Sequence, residues 1–457
     1  MPDTHLTIDP SPPAIAQVRG NSTTSEDAKV SLPVWLSEIM EEYKESENNR
    51  KPSIPEVPEP SIPEVPEPSI HEVPGKLKEK KEKCYRPLAV SIGPYHYSDR
   101  KGKLQQVEKL KARMMVEFVE DSGAQREDFY DKVKEELQKA RGCYDEIITE
   151  KFNVEEFSKM MFIDGCFILQ FMHCLDNESE KLEMSEQQIF HVKRDLLLLE
   201  NQLPFAVLDS LREQSTLLTF AVQLLNLNLS LDWSPPPGKT QPDHLLQLLY
   251  YKSMYHYSKR NHKKAQPGSR GHGLYYSAKK LKKAGIRFWP RLTGAITDVK
   301  FKSSLLSGKV EAPPIIIDES TESLLLNLVA YESAAALDQL WVSSYILFMD
   351  SLIDDAEDVE EMRSNGIIIN YLGADKNVAD LFNGMGESLT HDTYDSAAYN
   401  DVKMAINKQC ESTMKRWAYE WKKTYFSNPW TFITVLAASF GLSLTATQTY
   451  YTRFPPK

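Results

Sequence analysis

The 457-residue chain lacks most of the marks of a secreted, metal-stapled or nucleotide-binding protein. Its five cysteines, Cys84, Cys143, Cys166, Cys174 and Cys410, include no CxxC pair and no zinc-ligand spacing, which excludes a disulfide framework and a zinc module. They read as reduced thiols, with Cys166 and Cys174 as small buried hydrophobes in an apolar helical stretch. The first thirty residues contain no continuous apolar run, which argues against an N-terminal secretory signal. No GxSxG elbow, Walker loop or GxGxxG turn occurs. Positive charge is in deficit, with a formal net charge of -11, so non-specific nucleic-acid binding by the whole molecule is not expected. What is present is a core: 41% hydrophobic and 26% charged residues exclude a wholly disordered chain.

Residues 1–83 read as a largely disordered N-terminal region. Within it Val34, Trp35, Leu36, Ile39, Met40 and Tyr43 share one face of a short amphipathic helix. An octapeptide then repeats, PSIPEVPE at 52–59 and 60–67 and PSIHEVPG at 68–75, and its prolines predict an extended spacer. From residue 84 to 425 apolar residues recur at three- and four-residue spacing, as in Leu104, Val107, Leu110 and Met114, and helix dominates. The segment 285–318 differs, because IRFWP, ITDVKF and KVEAPPIIID read as short strands or a hairpin. The expected fold is mainly α: a multi-helix globular body with a small β element near residues 285–318 and a C-terminal transmembrane helix.

That last element rests on Trp430 to Thr447, 18 uncharged positions that would span about 27 Å as a helix. A hydrocarbon core is about 30 Å thick. Trp430 and Tyr450 stand like interfacial anchors, and Lys415, Arg416, Lys422 and Lys423 outweigh the basic tail, which keeps the body in the cytosol. The expectation over 430–451 is a single-pass anchor, with the lipid bilayer as a partner and the plasma membrane favoured over endomembranes. Ala437, Gly441 and Thr445 form a narrow small-residue face that would let two such helices pair as a homo-oligomer.

Seven motifs occur together in order: VSIGPYHY at 90–97, IDGCFIL at 163–169, DLLLLENQLPF at 195–205, GIRFWP at 285–290, PPIIID at 313–318, NLVAYE at 327–332 and the long run from Leu347 to Gly373. On these the chain resembles the plant family whose shared region is called domain of unknown function 247, from about Cys84 to the C-terminus. The resemblance implies a plant protein at a membrane, a helical family domain and no established enzymatic activity. It also implies a link to recognition, since some grass members are tied to self-incompatibility in pollen.

Asp354-Asp355-Ala356-Glu357-Asp358 spells DDxxD, the arrangement with which terpene synthases hold magnesium on a helix face. The second motif of such enzymes is missing, because Met404 and Lys408 stand where Asn400-Asp401 would need a hydroxyl and a carboxylate. Asp195 and Glu200 flank four leucines and invite a general acid and base reading. The alternative is that Glu200, Asn201 and Gln202 satisfy backbone groups between two helices, with Pro204 opening the second. His96, His173 and His191 have no partner at ligand spacing, so no metal site is expected.

The strongest anomaly is charge segregation: no acidic residue lies between His244 and Thr297. The same block carries Lys259, Arg260, Lys263, Lys264, Lys279, Lys280, Lys282 and Lys283, read as candidates for contact with an anionic membrane surface. The sequence thus points to a membrane-anchored recognition or scaffolding protein with an unknown protein partner and no cofactor. A magnesium-dependent enzyme and a soluble nuclear binding protein are the alternatives.

Overall fold

A computed structural model describes residues 68–453 apart from 103, 123–125, 178, 212–241, 255–275, 292–295, 305–306, 338–339, 390–396, 412–420, 422 and 424–428. The amphipathic stretch at 34–43, the first two octapeptides and Lys259, Arg260, Lys263 and Lys264 lie outside the described residues.

The N-terminal half is helical: α1 (Gly75–Tyr85), α2 (Gln105–Ser122), α3 (Arg126–Glu135), α4 (Leu137–Gly142), α5 (Glu146–Thr149), α6 (Val154–Asn177), α7 (Glu186–Asp195), α8 (Phe205–Leu211) and α9 (Leu245–Met254). α6 is the inner helix, burying Phe157, Met161, Phe167 and Phe171, and α2 packs along it through Val107, Met114 and Phe118. α7 opens with a capping box in which the Ser185 hydroxyl accepts the Gln188 N–H while the Gln188 side chain takes the Ser185 N–H.

The C-terminal half holds α10 (Ala278–Lys283), β1 (Ile286–Pro290), β2 (Lys300–Ser303), β3 (Gly308–Ala312), β4 (Ile315–Ile317), α11 (Thr321–Ala334), α12 (Trp341–Leu352), α13 (Ala356–Ser364), β5 (Ile368–Asn370), α14 (Asp375–Ser388), α15 (Asn400–Glu411) and α16 (Pro429–Arg453). The expected hairpin exists between β2 and β3, antiparallel with Phe301 opposite Val310, but β1 joins β3 in parallel, Phe288 opposite Val310. Gly308 permits this closure, because a Cβ there would stand 2.8 Å from the Phe301 ring and 2.9 Å from Ile286. β4 leaves that sheet and pairs in parallel with β5, Ile316 opposite Ile369.

Two hydrophobic clusters result. The first lies around α2, α6 and α8; the second lies around α11, α12, α14 and the strands. The mainly helical body and its small β element are as the sequence reading expects. The C-terminal transmembrane helix is not. An α-helix does form at Pro429–Arg453, but among the described residues no helix is long and apolar enough to cross a membrane. The reason lies in its side chains: Thr434, Ser439, Thr445, Thr447 and Thr449 interrupt the apolar surface, each donating its hydroxyl to the carbonyl four residues back.

Candidate functional site

The segment Asp195–Gln202 runs between the two cores, and its leucines divide between them, Leu196 entering the first and Leu199 the second. Its polar side chains replace the hydrogen bonds that a chain leaving a helix would lose. Asp195 Oδ2 accepts the N–H groups of Leu88, Ala89 and Val90 at 2.8, 2.6 and 3.0 Å, and Oδ1 takes Arg194 at 2.7 Å. Burial pushes the Asp195 carboxyl up despite those donors. Asn201 Oδ1 accepts the Ile92 N–H at 2.7 Å while its amide donates to the carbonyls of Val90 and Asp195. Gln202 binds the carbonyls of Leu196 and Leu198 and accepts the Leu246 N–H. Asn327 on α11 accepts the Leu199 N–H at 2.8 Å and donates to the Cys84 carbonyl at 3.0 Å. The DLLLLENQLPF motif is therefore a backbone organiser.

Glu200 faces the start of the body. Its Oε1 accepts the Val73 N–H at 3.0 Å and the Lys78 ammonium at 2.7 Å, and Oε2 lies 3.4 Å from His96 Nε2. Burial acts to raise this carboxyl, but the bonds from His96, Lys78 and Val73 hold it below the usual carboxylate range.

A second ionic group, missed in the sequence, centres on Asp164 of α6. Arg100 grips both carboxylate oxygens, the shorter bond being 2.6 Å, while Lys111 of α2 binds Oδ1 at 2.8 Å and also the Ser91 carbonyl. Oδ2 also accepts the Gly93 N–H at 2.9 Å. Gly93 has φ +68°, and a Cβ there would press within 3.0 Å of the Gln202 carbonyl, so VSIGPYHY needs glycine at this point. Burial acts to raise Asp164, and the charges of Arg100 and Lys111 outweigh it and hold the carboxyl low. Burial in turn lowers Lys111. Only the Asp164 position inside IDGCFIL hinted at this group, since Arg100 and Lys111 meet it through tertiary packing alone.

The two charge anomalies of the sequence meet each other. Lys279 on α10 pairs with Asp355 and, at 3.2 Å, with Glu357; Lys280 pairs with Asp354 at 3.1 Å; Lys282 pairs with Glu361. Lys283 is exposed. The Lys279 bond holds Asp355 below the usual carboxylate range. Asp355 also caps α13, and Asp358, fully buried, accepts the N–H groups of Lys279, Asp354 and Asp355. DDxxD here is a capping box with a lysine clasp. Among the described residues no group of three or more His, Cys, Asp or Glu side chains is placed to hold a metal ion.

Burial pushes the Cys84 thiol up to about 11 and also raises Cys143 and Cys166, which leaves little thiolate at neutral pH. Glu332 of the NLVAYE motif is pushed up to about 7 by burial, while accepting the N–H groups of Val342 and Ser343 and the Ser343 hydroxyl.

Exposed apolar surface concentrates on α16. Trp430, Ile433, Leu436, Phe440, Leu442, Leu444 and Tyr450 all face solvent, Phe440 with 70% of its area and Leu442 with 74%. Ala437, Gly441 and Thr445 lie on the same exposed helix, and Thr445 and Tyr450 border a shallow open depression with Leu442 and Arg453. A smaller apolar strip, Ile316, Ile369 and Tyr371, lies on the outer face of the β4–β5 pair.

These features define a mainly helical body with small sheets, whose motif carboxylates cap helices, bind backbone and close ion pairs. The chain belongs to the family described as plant protein of unknown function, DUF247, whose model matches residues 70–444. It is similar to UPF0481 protein At3g47200 of Arabidopsis thaliana, 28% identical over 404 residues that cover 80% of this chain and 82% of the relative. It is also similar to the putative UPF0481 protein At3g02645 of Arabidopsis thaliana, 24% identical over 475 positions, 80% of this chain and 86% of the relative. No solved structure matches.

Proposed function

We propose that this protein acts by recognition or scaffolding, with α16 as the element that docks on a partner protein. The observation that carries the reading is the row of large apolar side chains exposed along one 25-residue helix. An exposed apolar patch of this kind marks an interaction surface, since water contact is costly at about 25 cal/mol per Å² of apolar area. Ile433, Leu436, Phe440 and Leu444 fall at helical spacing on one face, the pattern of a helix that lies in a groove. The hydroxyls between them bond within the helix, so their burial leaves no donor unmatched. A second copy of the chain is one partner that the narrow small-residue face of Ala437, Gly441 and Thr445, beside that apolar row, would let approach closely.

The test is proximity labelling in plant cells with three versions of the tagged chain: full length, ending at Asn428, and carrying Ile433→Asp with Phe440→Asp. The full-length protein should label a set of proteins that both altered versions lose. Identical sets for all three would remove α16 as the docking element.

A further inference from the structure

The three-stranded sheet turns Ile286, Phe288 and Val310 into the core and a different set of side chains outward. Strand alternation places Arg287 and Trp289 of β1 together on the outer face, and the register sets Arg287 opposite Lys309 and Lys309 opposite Lys302. Three cations therefore stand in one row across β1, β3 and β2. Like charges directly opposite each other destabilise a sheet, so the row is unfavourable unless anions answer it.

Glu311 answers two of the three, lying 2.9 Å from Lys302 and 3.1 Å from Lys309, and the Lys302 bond holds its carboxyl below the usual carboxylate range. That carboxylate is buried, while the Lys302 side chain keeps 66% of its area in water, so the face presents ammonium groups. Arg287 is exposed and has no ion-pair partner among the described residues. Lys300, the next cation of β2, is already engaged by Asp298 at 3.4 Å.

Beside the row stands an open aromatic ring. Trp289 is 57% exposed, and the Lys309 ammonium lies over one side of its ring, 4.1 Å from the centroid. That contact steadies the ring and leaves the rest of its surface to water. Arg287 and Trp289, two residues apart on one strand, stand about 6–7 Å apart along it. A guanidinium and a flat ring at that spacing suit a ligand that carries an anion and a planar group on one backbone. An acidic peptide run would answer the cations and leave the ring bare. Each nucleotide of a single strand supplies both a base to stack and a phosphate to pair.

We propose that the outer face of the β1–β3–β2 sheet binds single-stranded nucleic acid, with a base stacked on Trp289 and the phosphates taken by Arg287, Lys309 and Lys302. The chain as a whole carries a net charge of -11, so the attraction is local to this face and is screened as salt rises.

The test uses the full chain and fluorescein-labelled oligouridine of about twelve nucleotides, read by fluorescence anisotropy between about 50 and 200 mM salt. The parent should bind with a log K that falls linearly with log salt. Trp289→Ala should weaken binding by about 5- to 100-fold, and Trp289→Phe should restore part of it, because stacking needs a ring. Arg287→Gln should weaken binding and lessen the salt slope by about 0.7, the share of one phosphate contact. Because Arg287 is exposed and faces a like charge, this variant should keep or exceed the parent's urea midpoint, which separates lost binding from lost fold. Lys283→Gln, at an exposed cation of α10 outside the row, should bind as the parent does. No saturable binding below about 100 μM chain at the lower salt, or binding that Trp289→Ala leaves unchanged, overturns the proposal. Equal affinity for an oligoglutamate peptide, lost with Arg287→Gln and kept with Trp289→Ala, would also overturn it and make the face a docking site for acidic peptide.

Discussion

Asp164 is fully buried against Arg100 and Lys111, and Lys111 has no exposed surface of its own. Removing one member of such a group leaves its partners charged and dry, which costs far more than the group contributes as a whole. Asp164→Ala should therefore destabilise the body by about 3–5 kcal/mol in urea unfolding; a loss under about 1 kcal/mol would mean that water reaches Lys111. Glu332 gives the opposite kind of test, because its carboxyl is raised from 4.5 to about 7 chiefly by burial. The folded state then holds this proton more tightly than the unfolded chain does, so the contribution is complete below pH 4.5 and is lost as pH rises to about 7. The urea midpoint of Glu332→Gln should accordingly fall less between pH 4.5 and pH 7.5 than that of the parent. Equal slopes would place the ionised carboxylate in the folded state. Neither group was legible in the sequence as chemistry: Arg100 from the turn ahead of α2, Lys111 from α2 and Asp164 from α6 are brought together only by tertiary packing.

At the scale of elements, sequence pattern carried much of the outcome and failed where side chains act on distant backbone. Helical periodicity, the strands from Ile286 to Ile317 and the helix-bridging role of Asn201 and Gln202 were all readable, because each depends on neighbours along the chain. The acidic run and the basic block were seen as separate anomalies. Their pairing could not be read, because the contact of α10 with α13 spans more than seventy residues. The last helix was misjudged for a different reason: absence of charge over 18 positions is not the same as apolarity when hydroxyls recur every few residues. The DDxxD run now gives two separable expectations. If Asp354 and Asp358 served a magnesium ion, both substitutions would abolish magnesium binding and leave stability intact. The capping geometry predicts instead that Asp358→Ala costs about 1–3 kcal/mol by stranding three N–H groups. Asp354→Ala, at a half-exposed pair with Lys280, should cost no more than about 1 kcal/mol.

For the whole molecule, the question is whether two hydrophobic clusters behave as two folding units. The segment 195–202 argues that they do not. It sends Leu196 into the first cluster and Leu199 into the second, and its backbone is held by Asn327 from α11, which also binds the Cys84 carbonyl. The third octapeptide adds a second tie through Ile70 and Val73. Elements that share buried polar groups unfold together unless the shared groups are removed. Two native thiols report on the two sides: Cys174 is fully buried in the first cluster and Cys410 is 2% exposed in the second. In urea, alkylation followed by peptide mass spectrometry should give the same midpoint for both in the parent chain. Asn327→Ala leaves the buried Leu199 N–H without its acceptor, at a cost of about 1–3 kcal/mol. It also cuts one tie between the clusters, so the Cys174 and Cys410 midpoints should separate in that variant. Separate midpoints already present in the parent would show that the clusters fold independently, and that the motif between them joins two domains instead of organising one.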